Sequence, residues 1–234
     1  MSMEMKNALL EGLPNLGLQL SEVTAQRLCD FGNAVIEQNK VMNLTAITEP
    51  VQVARLHLLD SISLLSLQDL AGKKVIDVGC GAGFPGVPLK IACPDMQLTL
   101  LDSLGKRMAW LEQILPGLGV DVTCVTARAE EFVTGCRESY DVATSRAVAR
   151  LNILLELTAP YVKVGGLVLA MKGTAAREEL DEAKSAVSKL GLKVEKIAEF
   201  PADGTAHTVI VLRKVAPTPA KYPRRYAKIK QNPL

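Results

Sequence analysis

The sequence is poor in the side chains that commonly hold metal ions. It has two histidines, and its five cysteines are scattered, at positions 29, 80, 93, 124 and 136. None of them forms a C-x-x-C pair, so no zinc ligand set can be assembled at the usual spacing, and we expect no metal site. An odd number of cysteines without a secretory signal fits reduced thiols and predicts a cytoplasmic protein. No apolar run approaches the ~18 residues of a membrane-spanning helix, so we expect no membrane partner.

A large excess of charge of one sign is also missing. The 27 basic and 25 acidic residues leave a net charge of +2, so bulk charge does not indicate a nucleic-acid-binding protein. Residues 221–230 depart from this balance, with five basic side chains and no acid, interleaved with Tyr222 and Tyr226. Such a segment suits RNA phosphates and bases, and a disordered solubilising tail is the alternative. The predicted RNA-binding residues are Lys221, Arg224, Arg225 and Lys228.

The patterning divides the 234 residues into three parts. In order, they are a helical subdomain, an α/β core and an extended, proline-containing tail, at 1–71, 72–215 and 216–234. In the first part, residues 1–20 are weakly patterned. Apolar periodicity predicts a helix from the N-cap Ser21 to near residue 39, and a second helix beginning at Glu49-Pro50.

Strands and helices alternate after residue 74, which is typical of a parallel sheet with helices on both faces. Strands are predicted at 74–79, 97–102, 121–126, 139–145, 165–171, 192–199 and 206–213, with helices at 86–92, 105–115, 128–133, 147–160 and 174–190. The last two strands are joined by residues 201–205 without a helix, so they form a hairpin and the final strand is antiparallel. This doubly wound, mostly parallel seven-stranded sheet is the expected shape of a Rossmann-like class I methyltransferase.

The core is organised around the stretch Val75-Ile76-Asp77-Val78-Gly79-Cys80-Gly81-Ala82-Gly83-Phe84-Pro85-Gly86. A buried strand that turns through glycines into a helix exposes backbone N–H groups at one point, which suits a nucleotide-like cofactor. The segment satisfies the dinucleotide pattern G-x-G-x-x-G and also the S-adenosylmethionine pattern acid-x-G-x-G-x-G. Both patterns require an acid after the next strand, where Asp102 lies. A glycine turn that only allows tight packing is the third alternative.

Three details favour S-adenosylmethionine over NAD. Asp77 lies inside the end of the first strand, where a carboxylate can reach a positively charged methionine group, which NAD lacks. Ala129 and Glu130 follow the third strand, where methyltransferases place groups against the adenine. The terminal hairpin is foreign to the usual dehydrogenase. An NAD-dependent oxidoreductase stays open at this point.

Several segments together resemble the bacterial RsmG family, formerly called GidB. The resemblance covers almost the whole chain, and its specific parts are 77–89, 101–107, Ser145-Arg146-Ala147 and Met171-Lys172-Gly173. Upstream, Asn43-Leu44-Thr45 and His57-Leu58-Leu59-Asp60-Ser61 are similar to the family's helical N-terminal part. The family consists of S-adenosylmethionine-dependent methyltransferases that place a methyl group on N7 of one guanine in 16S ribosomal RNA.

The resemblance implies cofactor contacts at Gly79, Phe84, Ala129, Glu130 and Arg146. With the residues named above, the predicted cofactor-binding set is Asp77, Gly79, Gly81, Gly83, Phe84, Asp102, Ala129, Glu130 and Arg146. The resemblance also implies 16S ribosomal RNA, within the small subunit or an assembly intermediate, as the partner. We further expect a monomer.

No general base is required for this chemistry, because guanine N7 carries a lone pair and no proton. Catalysis is then mostly positioning, with nucleophile, methyl carbon and sulfur in line. The candidate catalytic residues are Arg146, Lys172 and His57. Their structural alternatives are a salt-bridged arginine, a solvated lysine and a packed histidine.

For the tail, we expect that removing residues 217–234 weakens RNA binding and leaves cofactor binding unchanged. A non-catalytic RNA-binding assembly factor is the other functional alternative.

Overall fold

The computed structural model describes residues 3–146, 148–202 and 205–234. Its centre is a seven-stranded sheet in the order β3-β2-β1-β4-β5-β7-β6. The strands are β1 (Lys74–Val78), β2 (Gln97–Asp102), β3 (Thr123–Thr126), β4 (Tyr140–Arg146), β5 (Val162–Lys172), β6 (Leu192–Ala202) and β7 (Thr205–Lys214).

The strand directions confirm the predicted fold class. Strands β1 to β5 pair in parallel, whereas β7 is antiparallel to both of its neighbours, β5 and β6. The β6–β7 hairpin that the sequence predicted is therefore present. Residues 203 and 204, at its turn, lie outside the described residues.

Helices cover both faces of the sheet. They are α1 (Met3–Gly12), α2 (Glu22–Met42), α3 (Pro50–Val53), α4 (Asp60–Ile62), α5 (Gly86–Ala92), α6 (Gly105–Ile114), α7 (Ala129–Phe132), α8 (Leu151–Thr158), α9 (Ala176–Glu182), α10 (Lys184–Lys189) and α11 (Tyr226–Gln231). One apolar cluster joins α1, α2, α5 and α6 to the first face, and a second joins α8 and α10 to the other. Alternation along β1 divides it between them: Val75 packs into the first cluster and Ile76 into the second. In the described part of the chain, no helix has the length and apolarity needed to cross a membrane.

The N-terminal helices begin where local chemistry places them. Ser21 caps α2, its hydroxyl accepting a hydrogen bond from the Thr24 N–H at 3.1 Å. Glu49 caps α3 in the same way, with bonds from the N–H groups of Val51 and Gln52. Between α3 and α4 the helix loosens into a π-helical stretch, Ala54–Leu59. That stretch carries His57, and π-helical turns often lie at functional sites.

Four element predictions need correction. Residues 3–12 form a helix, because Met5 and Leu9 recur at helical spacing and are fully buried. The helix expected over 174–190 is two helices, α9 and α10. The helix expected from residue 147 begins at Leu151, and residue 147 itself lies outside the described residues. The tail is not wholly extended, since it contains α11 and buries Tyr222 and Ile229. The proposed division into three parts stays a prediction.

Met5 gives a test of the helix that the sequence did not predict. Met5 is fully buried against Gly32 of α2, whereas Met3 on the same helix is 75% exposed. Met5→Ala should lower the free energy of unfolding by about 2–5 kcal/mol, because it leaves a cavity. Met3→Ala is the matched control and should change it by less than about 0.5 kcal/mol. Equal denaturation midpoints for the two variants would contradict the docking of α1.

Candidate functional site

The glycine loop after β1 is held in a conformation that favours glycine. Gly79, Gly81 and Gly83 have φ angles of 73°, 57° and 94°, in the left-handed region that side chains rarely adopt. At Gly79 a Cβ atom would also lie 2.5 Å from the Val148 side chain. The loop backbone is thus bare where it faces the crevice at the carboxyl ends of the strands, the usual ligand site of such sheets.

Asp77 lies behind this loop and fastens it. Its carboxyl is fully buried, and Oδ2 accepts a hydrogen bond from the Gly86 N–H at 2.8 Å. Among the described residues Oδ1 has no hydrogen-bond partner. Burial is the main reason that the pKa of Asp77 rises to about 7. A direct contact between Asp77 and the cofactor stays a prediction.

Asp102 holds the other side of the loop. Oδ2 accepts from the Gly81 N–H and Oδ1 from the Leu104 N–H, both at 2.9 Å. A carboxylate offers about four acceptor sites, so Asp102 retains capacity for two ligand hydroxyl groups. It lies on the wall of the main cavity, as a ribose-binding acid must.

The cavity has a volume of about 520 Å³, within the range of small-molecule sites. It brings together most of the predicted site residues, namely His57, Gly79, Gly81, Phe84, Asp102, Ala129, Glu130 and Arg146. Asp77 and Gly83 lie behind the lining. The wall also includes residues that the sequence reasoning did not select for the cofactor: Leu44, Thr45, Arg107, Arg128, Val148, Leu157 and Tyr226.

Phe84 is the centre of a stacked group at this cavity. Its ring centroid lies 4.7 Å from that of His57, and the Arg146 guanidinium carbon lies 4.9 Å from it. Such cation–π and ring contacts stabilise a defined arrangement. Through these three residues the glycine loop, the N-terminal helices and the end of β4 are in contact with one another.

Asp60 fixes the arginine of this group. One carboxylate oxygen accepts from Arg146 Nη1 at 3.0 Å and the other from His207 Nδ1 at 2.6 Å. Asp60 is almost fully buried, and its hydrogen bond is the main reason that the pKa of His207 is raised. The sequence patterns indicated no role for Asp60, which lies three residues after His57. Nothing in the sequence signalled His207, because 147 residues separate it from Asp60.

His57 is held as a neutral imidazole. Burial, and then the charge of Arg146, lower its pKa to about 4. Nδ1 lies 2.9 Å from the Leu56 carbonyl, so this nitrogen carries the proton. Nε2 then accepts from the Thr45 hydroxyl at 2.8 Å. Since the lone pair of His57 is engaged, His57 is a poor general base in this arrangement.

Lys172 does not face the cavity as expected. Its side chain is 6% exposed, pairs with Glu179 at 2.7 Å and donates to the Ala149 carbonyl. It is therefore neither a solvated lysine nor placed to meet RNA; it ties β5 to α9.

The predicted RNA-binding residues of the tail also differ among themselves. Lys221, Arg225 and Lys228 are exposed. Arg224 instead pairs with buried Glu156 at 2.6 Å, so its guanidinium is directed into the protein. RNA contacts by the exposed three stay a prediction.

The site's geometry suits a polar organic ligand. The glycine loop without side chains and the spare acceptors of Asp102 both lie on the cavity wall. Over the described ranges there is no group of three or more His, Cys, Asp and Glu side chains suited to a metal ion.

Comparison with known proteins finds relatives that match nearly the whole chain. The family described as rRNA small subunit methyltransferase G (GidB) matches residues 24–209. The chain is 43% identical to the ribosomal RNA small subunit methyltransferase G of Alkaliphilus oremlandii over 99% of its length and 100% of the relative's. It is 43% identical to the protein of that name from Lactobacillus johnsonii, over 95% of this chain and 96% of the relative's.

The chain belongs to the rRNA small subunit methyltransferase G family.

The fold is shared more widely than the family. The solved structure of M. jannaschii TYW2 in complex with AdoMet has a TM-score of 0.51 and 15% sequence identity, over 61% of this chain and 69% of that one. Membership of the rRNA small subunit methyltransferase G family does not favour the NAD-dependent alternative, and it confirms the resemblance seen in the sequence.

Asp77 predicts a specific pH dependence. Between pH 4 and 7 the folded protein keeps the Asp77 proton that the unfolded chain loses, so stability falls as pH rises. Relative to Asp77→Asn, which cannot ionise, the wild type should lose on the order of 4 kcal/mol across this interval. Urea unfolding at several pH values measures the difference. Parallel pH profiles for the two proteins would refute the raised pKa.

Asp60→Asn tests the link between α4 and β7. The variant removes the carboxylate that raises the pKa of His207, so that pKa should fall from its raised value towards or below 6.5. NMR titration of the imidazole protons measures it, with the exposed Asp121→Asn as the control. An unchanged His207 titration would show that the ion pair is absent in solution.

Proposed function

We propose that this protein transfers a methyl group from S-adenosylmethionine to N7 of a guanine in 16S ribosomal RNA. The observation that carries the proposal is the cavity in which the glycine loop, Asp102 and the Ala129–Glu130 turn meet at the carboxyl ends of β1, β2 and β3. The family's name supports ribosomal RNA as the substrate. The more specific assignment to guanine N7 rests on the resemblance of the sequence motifs.

Different residues of the cavity would hold each part of the cofactor. Asp102 would accept hydrogen bonds from the ribose hydroxyl groups, and Ala129 and Glu130 would lie against the adenine. The N–H groups of Gly79, Gly81 and Gly83 are bound within the protein, so the glycine loop would lie against the methionine part through its backbone surface, without these donors. When bound, the cofactor supplies an electrophilic methyl group.

The protein's contribution to the reaction is positioning. Guanine N7 has a lone pair and no proton, so the reaction needs no general base. The engaged lone pair of His57 and its lowered pKa fit this requirement. The group of Phe84, His57 and Arg146 holds one wall of the cavity rigid, and a rigid wall favours in-line attack over other approaches. Arg146 lines the cavity with its charge paired to Asp60, and its remaining guanidinium N–H groups can donate to an RNA phosphate or the cofactor carboxylate.

The same proposal extends to the oligomeric state, the location and the RNA substrate of the enzyme. We infer a monomer without a metal ion that acts in the cytoplasm, where small ribosomal subunits are assembled, on 16S RNA in the subunit or in an assembly intermediate. A target base must be unstacked or lie in a loop to enter the cavity.

Methylation of small subunits that lack the modification tests the whole proposal. Incubation with labelled S-adenosylmethionine should label 16S RNA, and mapping should place the methyl group on N7 of one guanine. Absence of labelling despite tight RNA binding would instead support the non-catalytic assembly factor. Binding of NADH in a titration, without binding of S-adenosylmethionine, would support the oxidoreductase.

Asp102→Asn tests the cofactor site directly. Replacing a charged acceptor by a neutral one should weaken binding of S-adenosylmethionine about 10- to 100-fold, measured by calorimetry. Asp121→Asn, an exposed aspartate before β3, is the control and should bind as the wild type does. Equal affinity of the wild type and both variants for S-adenosylmethionine would show that Asp102 does not bind the cofactor.

A further inference from the structure

The C-terminal segment, residues 216–231, is fastened to the core. Arg137 donates hydrogen bonds to three of its carbonyl groups, those of Thr218 at 2.8 Å, Pro219 at 3.1 Å and Tyr222 at 2.7 Å. The Thr218 hydroxyl accepts from buried Lys214 at 2.6 Å. These contacts fix the start of the segment on the face of the sheet that carries α8 and α10.

A buried ion pair fixes the next part of the segment. Glu156 of α8 is 0% exposed, and its carboxylate accepts from the Arg224 backbone N–H, from Nε at 2.8 Å and from Nη2 at 2.6 Å. Removal of one partner of such a pair is strongly destabilising, because a buried charge is left unpaired. The segment is thus required by the core that it covers.

These anchors place α11 at the cavity of the proposed active site. Ile229 is fully buried, and Tyr226, two residues after Arg224, lines the cavity. Leu157, which follows Glu156 on α8, lines it as well. The same cavity wall continues to Ala129 and Glu130 of α7, where the adenine is expected.

We propose that the C-terminal segment is a wall of the cofactor cavity and that Tyr226 contacts the bound cofactor. This inference rests on the proposed function, since it concerns the same cavity. It reverses the expectation that the tail serves RNA alone. The segment has two sides: Tyr226 faces the cavity, while Lys221, Arg225 and Lys228 are exposed to solvent.

Calorimetry with S-adenosylhomocysteine tests the contact. Tyr226→Ala should raise the dissociation constant about tenfold, the size expected for the loss of an aromatic contact with an adenosine group. Tyr226→Phe keeps the ring and should bind within about twofold of the wild type. Gln231→Ala, an exposed residue of the same helix, should not change the dissociation constant.

A truncation separates the wall from the anchors. A chain that ends at residue 225 keeps Tyr222, the pairing of Arg224 with Glu156 and the contacts of Arg137. It loses Tyr226 with α11, including buried Ile229, and the Asn232 carbonyl that accepts from Arg224. It should bind S-adenosylhomocysteine at least as weakly as Tyr226→Ala. Limited proteolysis gives a second measurement: the cofactor analogue should slow cleavage within 221–231 in the wild type and not in Tyr226→Ala.

The outcomes distinguish this inference from the proposed function. If the wild type does not bind S-adenosylhomocysteine, the proposed function fails. If the wild type binds, and Tyr226→Ala and the truncated chain bind equally well, the proposed function stands and the wall is refuted. Weaker RNA binding by Tyr226→Ala with an unchanged dissociation constant for the analogue would also refute the wall. It would support the original expectation that the tail serves RNA binding alone.

Discussion

The hydrogen bond between the Gly86 N–H and Asp77 Oδ2 holds the start of α5 to the interior of the sheet. Asp77 is the last but one residue of β1, the strand between β2 and β4, so the bond closes the loop of residues 79–86 over the centre of the sheet. Burial of a carboxyl with one unpartnered oxygen opposes ionisation, which is why its pKa rises. Burying this carboxyl behind the glycine loop therefore lowers the stability of the fold, which is a common property of functional sites.

The closed loop places Phe84 where three parts of the chain meet. Phe31 of α2 lies 5.3 Å from it between ring centroids, and His57 and Arg146 stack on it. Asp60 ties the arginine to the N-terminal helices and to His207 of β7. His57 also lines the cavity itself, so the N-terminal helices have a direct part in the site.

The part of the cavity wall formed by α8 and α11 depends on an ion pair. Glu156 and Arg224 are a buried pair in which each member compensates the other's charge, and the pair holds Tyr226 beside Leu157. The N-terminal helices and the C-terminal segment thus contribute Thr45, His57 and Tyr226 to one cavity built around the strand ends. Both segments are parts of the proposed site, and we expect both of them to affect cofactor binding.

The sequence by itself determined the strand–helix alternation, the antiparallel last strand, the glycine loop and Asp102, because these depend on local periodicity and on short motifs. It also sufficed to indicate the family, through residues 77–89 and 101–107. Only the tertiary structure decided which charged side chains face solvent and which are paired within the protein. Lys172 and Arg224 were expected to face solvent or RNA. Lys172 is instead directed to Glu179 on the following helix, and Arg224 to Glu156, a residue far along the chain. Pairing and burial are set by which surfaces pack together, and spacing along the chain carries no record of that packing.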